Sequence, residues 1–385
     1  MKKKTSNYII YDNQSVPVFR KDLLGIASDI QVSTILPGGC NEVSLKVFAG
    51  KKLPNAIPDW MGFNFEMRVS DEEGFYWSGR LDDFGYGINR EGFHWLATAR
   101  GFGVNLDDQY APTVNVQNTQ TSQIVADAIT NYTEQIDATS ITATGVTISN
   151  TTAVNLKLMT AAQLIKWARE FGDSSLTEQL LTVYPDNDGT VRLTFKPKPS
   201  TYDLYAWVQD FDTVEGQLTG RLLANEALVQ YNAGASTVTV SDTALQGAGP
   251  AGWGLTRIVR LMMNEVTQAG DATQIANAKL AKHKTARVSA VNLQLKPQAK
   301  IRNVNNQIVL PNRVRAGQTM RLVDFDVQQS PWSNLSFAKE FVIGETNWDD
   351  TGQILTIVPE SLELETESML AKLYEVLEGV HVAGD

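Results

Sequence analysis

The chain has 385 residues, of which 43% are hydrophobic and 20% charged, the composition of a globular protein with two or three domains. Its formal net charge of −10 argues against general nucleic-acid binding, which needs a positively charged surface. A negatively charged surface would, however, suit the wall of a channel through which DNA passes without binding. The single cysteine, Cys40, excludes an intramolecular disulfide and a multi-cysteine zinc site, and we predict that it packs as a small apolar residue in a turn.

No run of the sequence approaches 18 apolar residues, and the basic start at Met1 is not followed by an apolar segment. We therefore expect no transmembrane helix, no membrane insertion and no secretory signal, and we expect synthesis in a cytoplasm.

Residues 8 to about 104 have the period of β-strands. Two runs of alternating apolar residues are Val43, Leu45, Val47 and Ala49, and Phe63, Phe65, Met67 and Val69. The turn at Glu72-Glu73-Gly74 predicts a hairpin whose second strand is residues 75–81. Phe93, Trp95 and Ala97 predict another strand that ends near Gly101. Short strands with glycine turns indicate a small barrel or sandwich.

From residue 105 to 220 the apolar period becomes helical. Residues 124–132 predict one helix, capped by Thr121 or Ser122. The capping box Thr160-Ala-Ala-Gln163 predicts a second helix, which stops at Gly172. The loop Pro185-Asp-Asn-Asp-Gly189 predicts a hairpin between two apolar runs. This part of the chain therefore reads as an α+β insert.

The remaining sequence predicts further strands around one helix. The segment 221–231 is expected to end in a strand and 237–240 to continue as β, whereas residues 255–266 fit strand or helix equally. A helical run covers residues 272–280, and β segments at 288–295, 312–327 and 341–359 follow it. This arrangement is typical of a helix-flanked antiparallel barrel or sandwich. A closing helix is expected from the apolar residues Met369, Leu370, Leu373, Tyr374 and Leu377.

The three histidines lack the spacing of metal ligands. His94, His283 and His381 have no partner two or four residues away, so we expect each to be a packed or solvated ring. The segment Asp186-Asn-Asp-Gly189 is similar to a calcium loop, but it has too few ligands and no distal glutamate. We predict no metal site and no cofactor.

Acidic side chains occur in four close pairs, which are the candidates for the acid and base of a hydrolase. They are Asp82 and Asp83, Asp107 and Asp108, Asp324 and Asp326, and Asp349 and Asp350. Adjacent residues of a strand point to opposite faces, which disfavours the doublets. Asp324 and Asp326 would share one face of a strand and are the best pair, but we predict no catalytic residue there or elsewhere.

The order of these elements resembles that of phage baseplate and tail hub proteins of the late-control-protein-like kind. The matching pieces are the strands of residues 43–104, the helical segment 158–172, and the region from 285 through Gly317 to Pro359. The resemblance implies a mainly β fold with two tail-tube-like β-barrel domains and an inserted α+β domain. The implied division is 1–105 for the first barrel, 106–220 for the insertion, 221–358 for the second barrel with its flanking helix, and 359–385 for a C-terminal helix and tail.

The resemblance also implies a structural role without enzymatic activity. It implies a homotrimeric ring in the virion tail tip or baseplate, assembled in the host cytoplasm, that adapts the hexameric tail tube to a central spike or tip. Three copies of two similar domains would match a sixfold tube and enclose the DNA channel. The implied partners are the tail tube protein, the spike or tip protein and other baseplate proteins, without sequence-specific binding of nucleic acid.

Two alternatives stay open on the sequence. Eight tryptophans and eleven tyrosines are enough to build sugar-stacking platforms, so a carbohydrate-binding or cell-wall-hydrolysing tail protein is one rival. Trp77, Trp95 and Trp167 lie in apolar patterns typical of a core, and no lysozyme-like or peptidase-like domain is expected, which favours the hub. The other rival is a tail-completion or tube-adaptor protein with the same barrel.

Overall fold

The computed structural model describes most of the chain. The described residues are 6–21, 28–50, 57–90, 92–111, 114–150, 155–156, 159–214, 217–218, 223–248, 252–284, 288–289, 293–297, 299–324 and 340–360. The chain divides into two compact units. The first consists of Met1–Ser33, Gly38–Pro199 and Leu223–Thr285, and the second of Thr34–Pro37, Ser200–Leu222 and Ala286–Asp385.

Strands dominate the described residues. In chain order they are β1 (Asn7–Tyr11), β2 (Pro17–Arg20), β3 (Ser28–Ile35), β4 (Gly38–Gly50), β5 (Glu66–Asp71), β6 (Gly74–Asn89), β7 (Gly92–Gly101), β8 (Tyr110–Ala111), β9 (Val114–Asn115), β10 (Gln117–Gln120), β11 (Asp137–Ile141), β12 (Thr147–Ser149), β13 (Asn155–Leu156), β14 (Met159–Thr160), β15 (Gln179–Pro185) and β16 (Val191–Pro197). They continue with β17 (Leu204–Trp207), β18 (Phe211–Val214), β19 (Gln217–Leu218), β20 (Glu226–Tyr231), β21 (Ser236–Ser241), β22 (Ile258–Met263), β23 (Val288–Ser289), β24 (Leu293–Leu295), β25 (Ile301–Asn303), β26 (Ile308–Val309), β27 (Thr319–Val323), β28 (Glu340–Asp349) and β29 (Ile354–Pro359).

The helices are fewer and shorter. They are α1 (Thr121–Tyr132), α2 (Ala161–Arg169), α3 (Thr243–Gln246) and α4 (Ala269–His283), with 3-10 turns at Phe102–Asp107, Val208–Asp210 and Pro311–Arg313. The fold class predicted from the sequence, mainly β with an α+β part, is confirmed.

Nine strands of the first unit form one continuous ladder. Their order is β2, β1, β5, β6, β7, β4, β15, β16 and β11. Val43, Leu45 and Val47 of β4 are buried, whereas the residues between them are exposed or half-buried, as the alternation predicts. β4 joins β15 as a short parallel pair at Gly39, which has φ +87°, and a Cβ there would lie 2.3 Å from the carbonyl oxygen of Val183. Only glycine permits this junction.

The α+β part of the first unit matches most of its sequence signals. α2 begins with the predicted capping box, in which Thr160 accepts from the Gln163 amide and the Gln163 side chain accepts from the Thr160 amide. The predicted hairpin joins β15 to β16. The cap of α1 differs from the prediction, because the N-cap residue is Gln120 and the Thr121 hydroxyl bonds to that of Thr144 at 2.6 Å instead.

A hydrophobic core unites the α+β part with residues that follow much later in the sequence. Ala272, Ile275 and Ala276 of α4 are fully buried in the same cluster as Leu164 of α2 and Leu193 of β16. A three-stranded sheet in the order β21, β20, β22 lies against α4. Within the segment 255–266, which the apolar period left open between strand and helix, Ile258–Met263 form strand β22, parallel to β20.

Charged side chains secure α4 to the rest of this core. The carboxylate of Glu178 lies 2.5 Å from Lys198 Nζ, 2.6 Å from Lys282 Nζ and 3.6 Å from Arg169 Nη2, and all four side chains are at most 15% exposed. A carboxylate shielded from water interacts more strongly with its cationic partners than an exposed one does. Glu178 therefore ties the end of α4 to strands β15 and β16.

The second unit contains an eight-stranded ladder of its own. The order is β26, β25, β17, β27, β28, β29, β24 and β18, and only the β17–β27 pair is parallel. The β segment predicted at residues 341–359 is the antiparallel pair β28–β29. Thr34 also belongs to this unit, where its hydroxyl bonds to that of Thr346 at 2.6 Å and accepts from the Ala316 amide at 2.8 Å.

Phe63 precedes β5 instead of lying within it, and it is 69% exposed, so the alternation that begins there is shorter than predicted. The closing helix with Met369 and Leu377 lies outside the described residues.

A compact unit can hold more than one domain, so the division of the chain into domains at residues 105, 220 and 358 stays a prediction.

Replacing Glu178 with glutamine removes the negative charge that three cationic side chains share. We expect the Glu178→Gln variant to lose about 2 kcal/mol of unfolding free energy, because it leaves partly buried cations without their counter-charge. Urea unfolding followed by circular dichroism measures the loss. The matched variant Glu134→Gln alters an exposed glutamate and should change the value by less than about 0.5 kcal/mol. Equal losses in the two variants would contradict the role of Glu178.

The buried carboxylate of Asp271 predicts a dependence of stability on pH. Burial raises its pKa above the ordinary value of 3.8, and a 2.8 Å hydrogen bond from the Ser149 amide opposes the rise. The folded state thus holds this proton more tightly than the unfolded chain, so stability falls as the pH rises from the ordinary value through the raised one. Asp271→Asn lacks this titration.

Between about pH 4 and about pH 7, the unfolding free energy of Asp271→Asn should therefore rise relative to the wild type. Urea unfolding at the two pH values measures the difference. An equal rise in Asp59→Asn, where the side chain is exposed, would show that burial of Asp271 is not the cause.

Candidate interaction surface

Three of the four carboxylates in the first two acidic doublets contact arginines or a hydroxyl. Asp82 lies 3.4 Å from both Arg80 and Arg100, and Asp108 receives two hydrogen bonds from Arg80. The Asp107 carboxylate accepts from the Thr160 hydroxyl at 2.8 Å, next to the start of α2. These contacts give the carboxylates positions in the fold instead of a shared reaction site.

The other acidic pairs are also separated by their local structure. Asp324 follows the end of β27 with φ +60°, so it does not continue the strand as predicted, and Asp326 lies outside the described residues. Asp349 accepts from the Thr351 and Gly352 amides in the β28–β29 turn. Asp350 is buried and accepts from the Trp348 indole at 3.3 Å. Both residues therefore shape a hairpin turn.

Cys40 and the histidines occupy structural positions. Cys40 is 5% exposed, but it lies in β4 directly after the turn and not in the turn itself. His94 is buried in β7 with its ring 6.3 Å from that of Phe48. His283 ends α4, and His381 lies outside the described residues.

The segment from Asp186 to Gly189 forms a turn, as predicted. The Asp186 carbonyl accepts from the Gly189 amide, and the Asp188 carboxylate accepts from the Thr190 amide at 2.9 Å. In the part of the chain that the structure describes, no three His, Cys, Asp or Glu side chains come together as metal ligands. No helix among the same residues has the length and apolar content needed to span a membrane.

The three tryptophans that were expected in the core lie largely inside the protein. Trp77 is fully buried, and Trp167 is buried with its ring 5.0 Å from Phe171. Trp95 is half-buried and packs edge-on against Phe93 at 4.9 Å. Two of the three therefore belong to the core as predicted, and Trp95 extends the core toward the surface.

The far end of the β6–β7 hairpin exposes an apolar surface, here called the hairpin patch. Its members are Phe63, Phe84, Tyr86, Ile88 and Trp95. Tyr86 is 69% exposed and stacks on buried Phe93, whereas Ile88 is 71% exposed. Because alternate residues of a strand share a face, the side chains of residues 84, 86 and 88 continue the apolar face of the core into solvent. Contiguous exposed apolar side chains often mark a site of protein contact.

The backbone at the same place is also open. β5 pairs with β6 only along Gly74–Arg80, and a bulge follows between Leu81 and Asp83. From Asp83 to Asn89, β6 pairs with β7 alone among the described residues. Antiparallel strands turn alternate backbone groups to each side, so residues 83–88 have one side without a strand partner in the part of the chain that the structure describes.

A second open edge lies at β22. This strand ends the three-stranded sheet, pairing with β20 and with no other strand that the structure describes. Val259 and Leu261 face the core, whereas Ile258, Arg260 and Met262 face solvent, Ile258 being 42% and Met262 60% exposed. The edge thus combines apolar side chains with a positive charge.

Solved structures share this fold over nearly the whole chain. The 43 kDa tail protein of prophage MuSo2 from Shewanella oneidensis matches with a TM-score of 0.59 and 12% identity, over 94% of this chain and 99% of its own. The fold is that of phage tail proteins. The tail protein from Neisseria meningitidis MC58 matches with a TM-score of 0.58 and 10% identity, over 93% of this chain and 97% of its own.

A third structure agrees with these two. The prophage tail protein gp18 from Listeria monocytogenes EGD-e matches with a TM-score of 0.52 and 12% identity, over 97% of this chain and 99% of its own. The resemblance to tail proteins that the order of elements predicted is therefore confirmed at the level of the fold. No protein-family model matches the chain, and no curated protein matches it by sequence.

The hairpin patch should contribute little to folding. Ile88→Ser alters a side chain that is mostly in water, so we expect the unfolding free energy to change by less than about 0.5 kcal/mol. Phe93→Ala, on the same hairpin but 3% exposed, should cost about 3 to 4 kcal/mol, because it empties part of the core. Urea unfolding of both variants makes the comparison, and a large loss in Ile88→Ser would assign the patch to the core.

Proposed function

We propose that the chain is a structural hub subunit of a phage tail or baseplate, without enzymatic activity. The observation that supports this most is the shared fold with phage tail proteins over 94% of the chain and 99% of the MuSo2 protein. The exposed hairpin patch and the two open strand edges add to it, because a subunit of a larger assembly needs surfaces of this kind.

In this proposal three copies form a ring around the DNA channel. Each copy supplies two tube-like barrel domains, at 1–105 and 221–358, with the α+β insertion at 106–220 between them. Three copies then offer six similar domains to a hexameric tail tube on one side and a threefold spike or tip on the other. The net charge of −10 suits a channel wall that DNA passes without binding.

The proposed place of the protein is the tail tip or baseplate of the virion, after assembly in the host cytoplasm. Its partners would be the tail tube protein, the central spike or tip protein and other baseplate proteins. Contacts in such an assembly are made between protein surfaces, so the proposal requires neither a cofactor nor sequence-specific contact with nucleic acid.

Sedimentation velocity and pull-down with the purified tail tube and spike proteins of the same particle test this role. We expect a trimer, either from the chain alone or on addition of one of these partners, because the ring matches the symmetry of both. Electron microscopy of the intact particle should then place the chain at the end of the tube. A stable monomer that binds neither partner, or release of reducing sugar from host envelope by the pure protein, would contradict the proposal.

A further inference from the structure

The outer face of the sheet in the second unit carries arginines and aromatic rings. One row of directly paired residues crosses five neighbouring strands, from β26 through β25, β17 and β27 to β28: Ile308, Arg302, Tyr205, Arg321 and Glu340. Side chains of directly paired residues lie on the same face of a sheet. Met320 and Leu322, on either side of Arg321, are buried. The row therefore lies on the face that points away from the core.

Aromatic rings hold two guanidinium groups of this face in place. The Arg302 guanidinium lies 5.9 Å from the centre of the Trp207 ring, and that of Arg321 lies 5.2 Å from the centre of the Tyr202 ring. Tyr205 packs edge-on against Trp207 at 5.4 Å. An arginine that is already stacked on a ring loses less conformational freedom when it binds a carboxylate.

The same face has an excess of positive charge. Residues 296–323 contain six Lys or Arg residues and no Asp or Glu. Lys300 is exposed one residue before β25, and neither Lys300 nor Arg302 has a carboxylate within ion-pair distance in the part of the chain that the structure describes. Glu340 lies 3.7 Å from Arg321. Since Ile308 is also 56% exposed, the face suits an acidic segment that contains apolar residues.

We call this surface the arginine face. Its members are Tyr202, Tyr205, Trp207, Lys300, Arg302, Ile308 and Arg321.

An acidic segment of the same unit begins beside β28, the last strand of the row. The amide of Glu360, where the described residues end, donates to the Val342 carbonyl at 2.7 Å, and Val342 is two residues from Glu340. Residues 361–385 lie outside the described residues. Their sequence contains six acidic residues and one lysine, a net charge of −5 in a chain whose net charge is −10. It also contains the apolar residues Met369, Leu370, Leu373, Tyr374 and Leu377.

The segment is long enough to cross all five strands. Five neighbouring strands are four spacings wide, which is about 19 Å. Residues 361–378 would span about 27 Å even at the short rise of an α-helix, about 1.5 Å per residue. Length therefore permits contact with every residue of the row.

We infer that residues 361–378 lie across the arginine face of the same copy. In this arrangement Glu363, Glu365 and Glu367 supply carboxylates to Arg321 and Lys300, and the apolar residues that follow cover Ile308 and Trp207. Attachment to β29 raises the effective concentration of the segment at the face to the order of millimolar, which favours it over an acidic segment of another chain. The inference goes beyond the proposed function and does not depend on it.

Photo-cross-linking of the full chain tests this contact directly. Ile308→benzoylphenylalanine places a photoreactive ring on the arginine face at a mostly exposed position. Irradiation should join it to a peptide from residues 361–378 within one copy, as read by mass spectrometry after digestion. Asn347→benzoylphenylalanine is the matched control, because Asn347 is exposed on the same strand as Glu340 but about 23 Å along it. It should give little of this product.

Reversal of charge tests the cause of the contact. Lys300→Glu with Arg321→Glu changes two exposed residues of the face, and it should lower the yield of the cross-link about fivefold at low ionic strength. Glu363→Lys, Glu365→Lys and Glu367→Lys together should lower it by a similar factor. The chain with all five changes has opposite charges again and should recover most of the yield, which a variant with a damaged fold would not do.

The outcomes decide the inference separately from the role in the tail. A cross-link that joins two copies, the absence of the link at Ile308, or a yield that the charge reversals leave unchanged overturns it. Binding of an oligothymidine to the face of the full wild-type chain overturns it as well, because the segment should exclude a nucleic acid. If the link forms in a chain that binds neither the tail tube nor the spike protein, the inference stands while the proposed function fails.

Discussion

The carboxylate of Glu178 sits where three parts of the first unit meet. Lys282 reaches it from the end of α4, Lys198 from the end of β16 and Arg169 from the end of α2. The apolar cluster beneath holds these elements together by burial, which has no direction of its own. Hydrogen bonds between charged groups do depend on orientation, and they therefore fix the position of α4 along the strands. The sheet that contains β22 depends on this position, because it packs on the same helix.

The hairpin patch lies at the limit of the buried core of the first unit. Phe93 and Ala97 of β7 are both 3% exposed, whereas their partners on β6, Ile88 and Phe84, are exposed and half-buried. The residues opposite them on β6 therefore keep an apolar character without a core to fill. Exposed apolar side chains that lie next to one another often mark a site of protein contact. Asp82, Asp107, Asp108 and Asp349, in contrast, contact arginines, a hydroxyl or backbone amides of neighbouring residues.

Local sequence patterns predicted an element correctly where all the residues that define it are close together in the chain. The capping box at Thr160 and the hairpin loop at Asp186–Gly189 contain all the residues that define them, and both formed as predicted. β22 could not be assigned, because Ile-Val-Arg-Leu-Met-Met is apolar on both faces and its period is hidden. The parallel contact of β4 with β15 joins residues more than a hundred positions apart, and no local pattern encodes it.

The hairpin patch has a recognisable pattern in the sequence. Phe84-Gly-Tyr-Gly-Ile88 alternates large apolar residues with glycine, which gives a strand with one bulky face and one bare face. Reading such a pattern as exposed requires knowing where the core stops, and this depends on the pairing of β4 with β7. Asp324 is another residue whose conformation the local pattern did not predict. Its left-handed backbone ends the strand that was expected to place it on one face with Asp326.

The path of the chain has a consequence for biosynthesis. The first unit is interrupted after Pro199 and resumes at Leu223, and its core closes only when α4 has been made. A ribosome needs roughly 4 to 17 s to add the residues between Pro199 and the end of α4, at about 5 to 20 residues per second. During that interval the nascent α+β part displays an unfinished apolar surface, which chaperones can recognise. Slow codons or a stall within this stretch would therefore lower the yield of folded subunit more than a pause after α4.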